Sequence, residues 1–358
     1  MRPATRAAIT VGSIILVAAI ALTFRTLTAA GVFSDVTPGF AGTCSAIRGV
    51  AGPEDIVIDE KLGLAFVSAT DRRAGLSGKP SAQDGLYILA LNGTANLVKL
   101  AGTPADFHPH GISLYRAPNG DVTLMAINHR RDGTSSVDSF DVVAHGGTVK
   151  LHETGSIEGG QLVSPNAIAA VDRDRFYVTN DHTSRSAFGR TLDDFLLLPR
   201  ANILYFDGSL FHIVANDLNF PSGAVLSSDG KYLYVSEAFN RRLTTYSRDE
   251  MSGVLQAVST LAIASNLDNL RLDGSGNLWV GSHLKAFAMA TYRSDPAKPA
   301  PSEIFRVTLS NGIPQSAATV YANRGDEIGG ASVAAVLGQR MLIGSPLDTK
   351  VLDCRMDR

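Results

Sequence analysis

Two histidines and a scattered set of oxygen-bearing side chains are the parts of this chain that could do chemistry. Phe107-His-Pro-His-Gly-Ile112 places His110 just ahead of a β-rich run, and His129 closes the following run 19 residues beyond it. Glu54-Asp55 follows Gly52-Pro53, Asn166 lies in Ser164-Pro-Asn-Ala-Ile168, and Asp268-Asn269 lies in Leu267-Asp-Asn-Leu270. Glu54, Asn166, Asp268 and Asn269 offer only oxygen if the asparagines use their carbonyls. Such a set suits a hard cation, and calcium accepts six to eight oxygens. Two carboxylates, Glu54 and Asp268, balance a divalent charge. Imidazoles beside a cation could handle the proton of an attacking water. There is no cysteine and histidine spacing of the zinc kind, no phosphate-binding glycine-rich loop, and no Gly-x-Ser-x-Gly elbow of a serine hydrolase.

Singly, each cluster has an ordinary explanation. Asp and Asn before a strand are usually turn residues bonding their own backbone, and a histidine at a strand end is usually a hydrogen-bond partner. What lifts them above that is recurrence at one position of a repeat. Six stretches read as the same strand: Leu62 to Ala69, Val122 to His129, Arg175 to Asp181, Lys231 to Glu237, Asn277 to His283 and Arg340 to Ser345. Between Phe66, Met125, Tyr177, Leu233, Trp279 and Leu342 the steps are 59, 52, 56, 46 and 63 residues. A period near ~50 residues with several strands per unit predicts propeller blades, since one blade cannot bury both faces alone. The fold expected is an all-β, six-bladed β-propeller whose polar strand ends converge on one channel mouth. The inner strand of the third blade is expected to end at Asn180-Asp-His182, and that of the fifth at Ser282-His283.

The propeller should fill residues 31–358, behind an N-terminal segment, residues 1–30. There Arg2 and Arg6 precede Ala7 to Phe24, 18 residues without a charge, and Arg25 closes the run. That is the order of an export signal, at the lower edge of the length that spans a bilayer. It predicts an extracytoplasmic protein, membrane-anchored through this segment or secreted, with the positive flank inside. The only cysteines, Cys44 and Cys354, stand one near each end of the folded region. In an exported protein such a pair is expected to be bridged, locking the seam where a propeller closes. The net charge of −2 gives no reason to expect nucleic acid as a partner.

The motifs together resemble the paraoxonase family of calcium-dependent arylesterases and lactonases. The likeness runs from Cys44 to Cys354 and rests on Gly52-Pro-Glu-Asp55, Phe107-His-Pro-His-Gly-Ile-Ser113, Ile127-Asn-His129, Phe176 to His182, Ser228 to Tyr232, Leu267-Asp-Asn269, Leu278-Trp-Val-Gly281 and Leu342-Ile-Gly344. The resemblance implies a catalytic calcium on Glu54, Asn166, Asp268 and Asn269, and a proton-handling dyad of His110 and His129. It implies that Asp55 and the Ile112 carbonyl match a second, structural calcium site, and that Cys44 and Cys354 match the family disulfide. Two positions depart from the pattern. Ala167 replaces a carboxylate of the structural site, and Ser222 replaces an amide ligand of the catalytic one. A catalytic calcium bound less tightly, and a structural one weak or absent, are therefore expected.

The expected activity is hydrolysis of lactones and aryl esters by a dyad-activated water. The alternatives are a calcium-binding propeller without catalysis and a sugar-lactonase of the gluconolactonase kind. Asp181 is expected to orient His110, while His182 and His283 line the pocket. The stretch Phe188 to Leu198 carries Leu192, Phe195 and Leu196 at helical spacing before Pro199. It falls where paraoxonases carry a helical lid, and would otherwise be a helix packed on the propeller.

Overall fold

The computed structural model describes residues 3–78, 81–93, 96–145 and 147–357, with side chains from Thr10 onward. Its strands form six antiparallel sheets. Each blade starts at the axis, with inner strands Pro53–Asp59, Pro109–Arg116, Pro165–Ala170, Pro221–Leu226, Leu267–Leu272 and Val333–Leu337. Neighbouring inner strands pack side by side around the ring, the last against the first.

The repeat seen in the sequence is the second strand of each blade, not the inner one. Leu64–Ala69, Val122–His129, Phe176–Asn180, Tyr232–Glu237, Leu278–Ser282 and Arg340–Gly344 each pair outward from the axis strand. The reason is burial. A second strand is covered on both faces by neighbouring blades and so reads as a nearly continuous apolar run. The inner strand starts with polar groups at the channel and gives a weaker signal.

Alternation then assigns each residue to one interface. Phe66 packs toward blade 2 with Phe140 and Leu124, while Val67 packs toward blade 6 with Val333 and Leu342. Six apolar clusters of this kind fill the six gaps between blades. Blade 4 is offset by one from the sequence alignment: Leu233 faces blade 3, and Tyr234 is the residue equivalent to Phe66. Truncating a wedge such as Phe66, which is fully buried, to alanine should cost about 3–5 kcal/mol.

Closure takes the form expected. Blade 6 is completed by Gly42–Arg48, which pairs antiparallel with Lys350–Met356. Cys44 and Cys354 face each other in that register and form the disulfide. Helix α1 (Pro3–Ala29) precedes the propeller. Within it Thr10–Ala29 is long and apolar enough to cross a membrane. Three short helices, α2 (Arg72–Leu76), α3 (Ala187–Leu196) and α4 (Ala286–Ser294), leave the second strands of blades 1, 3 and 5.

Candidate active site at the channel mouth

Five of the six inner strands begin with the same irregularity. Their pairing shifts between Pro53 and Asp55, Pro109 and Ile112, Pro165 and Ile168, Pro221 and Gly223, and Leu267 and Leu270. Proline is tolerated at the first position of a strand because no ladder bond is lost there. A bulge re-aims the side chains it carries. The residues inside these shifts are Glu54, His110, Asn166, Ser222, Asp268 and Asn269, so the bulges deliver them together. All but Asn269 line one cavity of about 890 Å3, with His129, Asp181 and His283. Glycine permits the convergence: a Cβ on Gly111 would stand 2.4 Å from the Asn166 carbonyl, and one on Gly223 2.5 Å from that of Asp268.

The histidines form a chain. His110 Nδ1 lies 2.9 Å from His129 Nε2, and His129 Nδ1 lies 3.1 Å from the Ser135 hydroxyl. His110 Nε2 points the other way, 3.7 Å from Glu54 Oε1. Burial, then the Arg72 charge, then His129 and Arg293, push the His110 pKa well below its ordinary value. Burial and Arg72 also lower His129 to about 4. Both rings are neutral bases at pH 7.

Beside them lies the oxygen set. Glu54 is buried, and Asn269 donates to its Oε1 at 2.6 Å. Asp268 meets His283 Nε2 at 2.6 Å, and Asn166 donates to Asp181 at 3.0 Å. Burial raises the Glu54 pKa well above normal, with Asp55 and Asp268 adding to it and Arg72 opposing. Within this oxygen set, Glu54 Oε2 and Asn166 Oδ1 are buried without a hydrogen-bond partner among the described residues. A carboxylate held against burial and like charge, next to an unpartnered amide oxygen, is what a hard cation would relieve. The residues fit calcium on that ground. Among the described residues no three His, Cys, Asp or Glu side chains form a metal cluster, so a cation here would rest on two carboxylates plus neutral oxygens. Ser222 lines the cavity, with its hydroxyl donated to the Leu267 carbonyl at 2.8 Å.

The second set of expected ligands meets a different cation. Asp55 accepts from the Ile56 and Ile112 amides, both at 2.9 Å. Arg271 lies 2.5 Å from Asp55 Oδ1 and donates to the carbonyls of Ile56 at 2.6 Å, Leu270 at 2.7 Å and Ile112 at 3.1 Å. Asp55 and the Ile112 carbonyl are thus already engaged by a guanidinium. Arg271 was missed in the sequence, although an arginine inside the buried strand Leu270-Arg-Leu272 breaks the apolar pattern and is the signal for it.

Asp181 does not orient His110 as expected. Its two oxygens are taken by Asn166 and by His182 Nδ1 at 2.8 Å, and His182 Nε2 continues to Asp194 of α3 at 2.9 Å. His182 is therefore a buried strut, whereas His283 lines the cavity as expected. Helix α3 forms where the spacing predicts one, but Leu197 in a left-handed conformation stops it before Pro199. Its phenylalanines do not pack on the propeller: Phe188 is 73% and Phe195 54% exposed, while Asp193 is the buried residue. The end of α1 docks beside it. Thr26 donates to the Phe195 carbonyl at 2.7 Å, and Asn266 donates to the Ala29 carbonyl at 2.9 Å.

Comparison with known proteins shows which chains this one is similar to. A family profile described as Arylesterase matches residues 36–356. Serum paraoxonase/arylesterase 1 of Rattus norvegicus is 31% identical over 322 residues, 87% of this chain and 89% of its own length. Serum paraoxonase/arylesterase 2 of Homo sapiens is 32% identical over 322 residues, 87% and 88% of the two chains. Among solved structures, a gluconolactonase of Xanthomonas campestris superposes with a TM-score of 0.52 at 17% identity, covering 90% of this chain and 98% of that one. At that identity the likeness is one of fold.

Proposed function

This chain belongs to the arylesterase family and is an ester and lactone hydrolase, and we propose that His110 and His129 activate its water beside a single calcium ion. The carrying observation is that His110 Nε2 points at Glu54 while His110 Nδ1 meets His129. Glu54, Asn166, Asp268 and Asn269, with Ser222 at the edge, would hold the ion. When bound, calcium would supply the positive charge that polarises the ester carbonyl and stabilises its oxyanion.

The protein's own residues do the rest. With Nδ1–H of His129 donated to Ser135, His129 Nε2 is an acceptor for Nδ1–H of His110. His110 Nε2 is then left as the free base. It takes the proton of water as hydroxide adds to the carbonyl carbon. The charge spreads through His110 Nδ1 to His129 Nε2, and the proton returns to the departing alkoxide. The low pKa of both rings keeps this base deprotonated at neutral pH.

Arg271 supports one ion rather than two, since its guanidinium pairs with Asp55 and occupies the carbonyls around it. The protein is read as exported and held at a membrane by α1. The docking of the end of α1 next to α3 and Asn266, and the exposure of Phe33, Phe188, Phe195 and Phe287, support a channel mouth that faces that membrane. Phenyl acetate and a δ-lactone, assayed with calcium and then with chelator, test the reading. Hydrolysis that needs calcium and is lost in His110→Gln is expected. Calcium binding without any hydrolysis would favour a binding propeller, and turnover confined to hydrophilic sugar lactones would favour a sugar-lactonase.

A further inference from the structure

Charge around the cavity is unevenly partnered. Its carboxylates all have work: Asp84 holds His108 at 2.6 Å, Asp71 accepts from the Ala74 amide at the start of α2, Asp181 and Asp194 hold His182, and Glu54 and Asp268 belong to the oxygen set. Arg72 and Arg293 line the same cavity, and neither has a carboxylate within ion-pair distance among the described residues. Among the described residues the one side-chain hydrogen bond of Arg72 is a long one, 3.4 Å to the Pro346 carbonyl. Arg190 of α3, with only the Ser184 carbonyl at 2.9 Å, adds a third unpaired charge to the lining.

The helix that carries Arg72 is tied to the one that carries Arg293. Arg73 donates to the Tyr292 carbonyl at 2.7 Å and to the Leu347 carbonyl, and its guanidinium stacks on the Tyr292 ring at 4.5 Å. This clamp ties α2 to α4 through the immediate chain neighbours of Arg72 and Arg293. Burial lowers the Arg72 pKa, Glu54 opposes that, and Arg293 lowers it further. Several other arginines meet a carboxylate, Arg116 with Asp59, Arg175 with Asp172, Arg242 with Glu237 and Arg340 with Asp353, while Arg241 and Arg248 end on carbonyl and hydroxyl oxygens instead. Among the described residues Arg72 and Arg293 line a cavity without a carboxylate to meet either of them, and guanidinium groups are the preferred receptor for a carboxylate.

Resting on the reading of this cavity as the ester-hydrolysing site, we infer that the substrate carries a second, non-reacting carboxylate, which Arg72 and Arg293 hold while the ester or lactone carbonyl faces His110. The substrate class is then acidic: lactones or esters bearing a free carboxylate.

The test uses calcium-loaded, full-length protein and two esters of one shape, 4-carboxyphenyl acetate and 4-carbamoylphenyl acetate. The acid should show kcat/KM at least about tenfold above the amide, a ratio that falls as salt screens it. In Arg72→Gln/Arg293→Gln the ratio should drop to about one, with Arg293→Lys alone keeping part of it, because the effect is one of charge. Equal rates for the two esters, or a preference surviving the double substitution, overturns the inference. The second result would assign the carboxylate to the cation instead. Calorimetry with the unreactive pair 4-methoxybenzoate and 4-methoxybenzamide reads the same ratio without turnover. Hydrolysis of the neutral ester by the unmodified protein separately reports whether the cavity is an esterase site at all.

Discussion

Arg271 and Asp55 meet at 2.5 Å in the channel, one to three residues further along their inner strands than Glu54 and Asp268. Both are buried, and the other donors of Arg271 end on carbonyls of blades 1, 2 and 5. A guanidinium with this many fixed acceptors braces three blades where they come closest. Removing it strands a buried carboxylate, and breaking a buried pair in that way costs about 3–5 kcal/mol. Arg271→Met should therefore lower the melting temperature sharply, and Asp55→Asn added to it should restore part of the loss. Metal analysis of the unmodified protein should find one calcium per chain, and chelator should leave it folded. Two equivalents would refute the single-ion reading.

The dyad makes a graded prediction. His110→Gln removes the base itself, and kcat should fall by about 10²–10⁴ with little change in KM. His129→Gln removes only the acceptor behind it, and Ser135→Ala only the group orienting His129, so losses should shrink in that order. Calcium affinity, followed by calorimetry, should stay near that of the unmodified protein in all three. A large affinity loss in His110→Gln would make that residue part of the cation site instead.

Acid inactivation should set in late. A base works only when deprotonated, and burial with the Arg72 charge lowers both rings, His129 to about 4. Protonation then begins at lower pH than for an ordinary histidine near 6.5. The acid limb of kcat/KM for neutral phenyl acetate should lie below pH 6.5. Arg72→Gln takes away a repelling charge, so the limb should move to higher pH. A limb above 6.5 in the unmodified protein would contradict the assignment.

Much of this was legible in the sequence for one physical reason: each blade repeats one burial pattern. The six second strands announced the propeller, and the polar residues before them announced the mouth. The same pattern hid the rest. Inner strands such as Pro53–Asp59 spend their first residues on a bulge, so they lack the alternation that marks a strand, and the repeat was assigned one strand too far inward. The expectation that Asp181 orients His110 fails for a different reason. Asp181 contacts Asn166, 15 residues away across a turn, and the adjacent His182, and sequence order does not set which way a carboxylate leans. Arg271 and Arg72 act through neighbours 159 and 274 residues away, Ile112 and Pro346. No local window contains such pairs.

His182 supplies a test of how α3 is fastened to the site. It sits between Asp181, which holds Asn166, and Asp194 on α3. Burial works against its charge, but the hydrogen bonds to Asp181 and Asp194 outweigh it and raise the pKa to about 9. The folded value lies above the unfolded one, near 6.5. The stabilisation is therefore fully present below about pH 6.5 and is lost as pH rises through about 9. At about 1.4 kcal/mol per pKa unit it amounts to roughly 3 kcal/mol at most. The melting temperature of the unmodified protein should fall between about pH 6.5 and 9, while His182→Gln should start lower and stay flat across that window. Asp194→Asn removes one of the two anions, so the fall should be smaller and should end at lower pH. Because the strut ends on Asn166, calcium affinity should weaken over the same window and in both variants. A pH-independent melting temperature in the unmodified protein would mean that His182 is neutral, and that α3 is held by its docking on α1 instead.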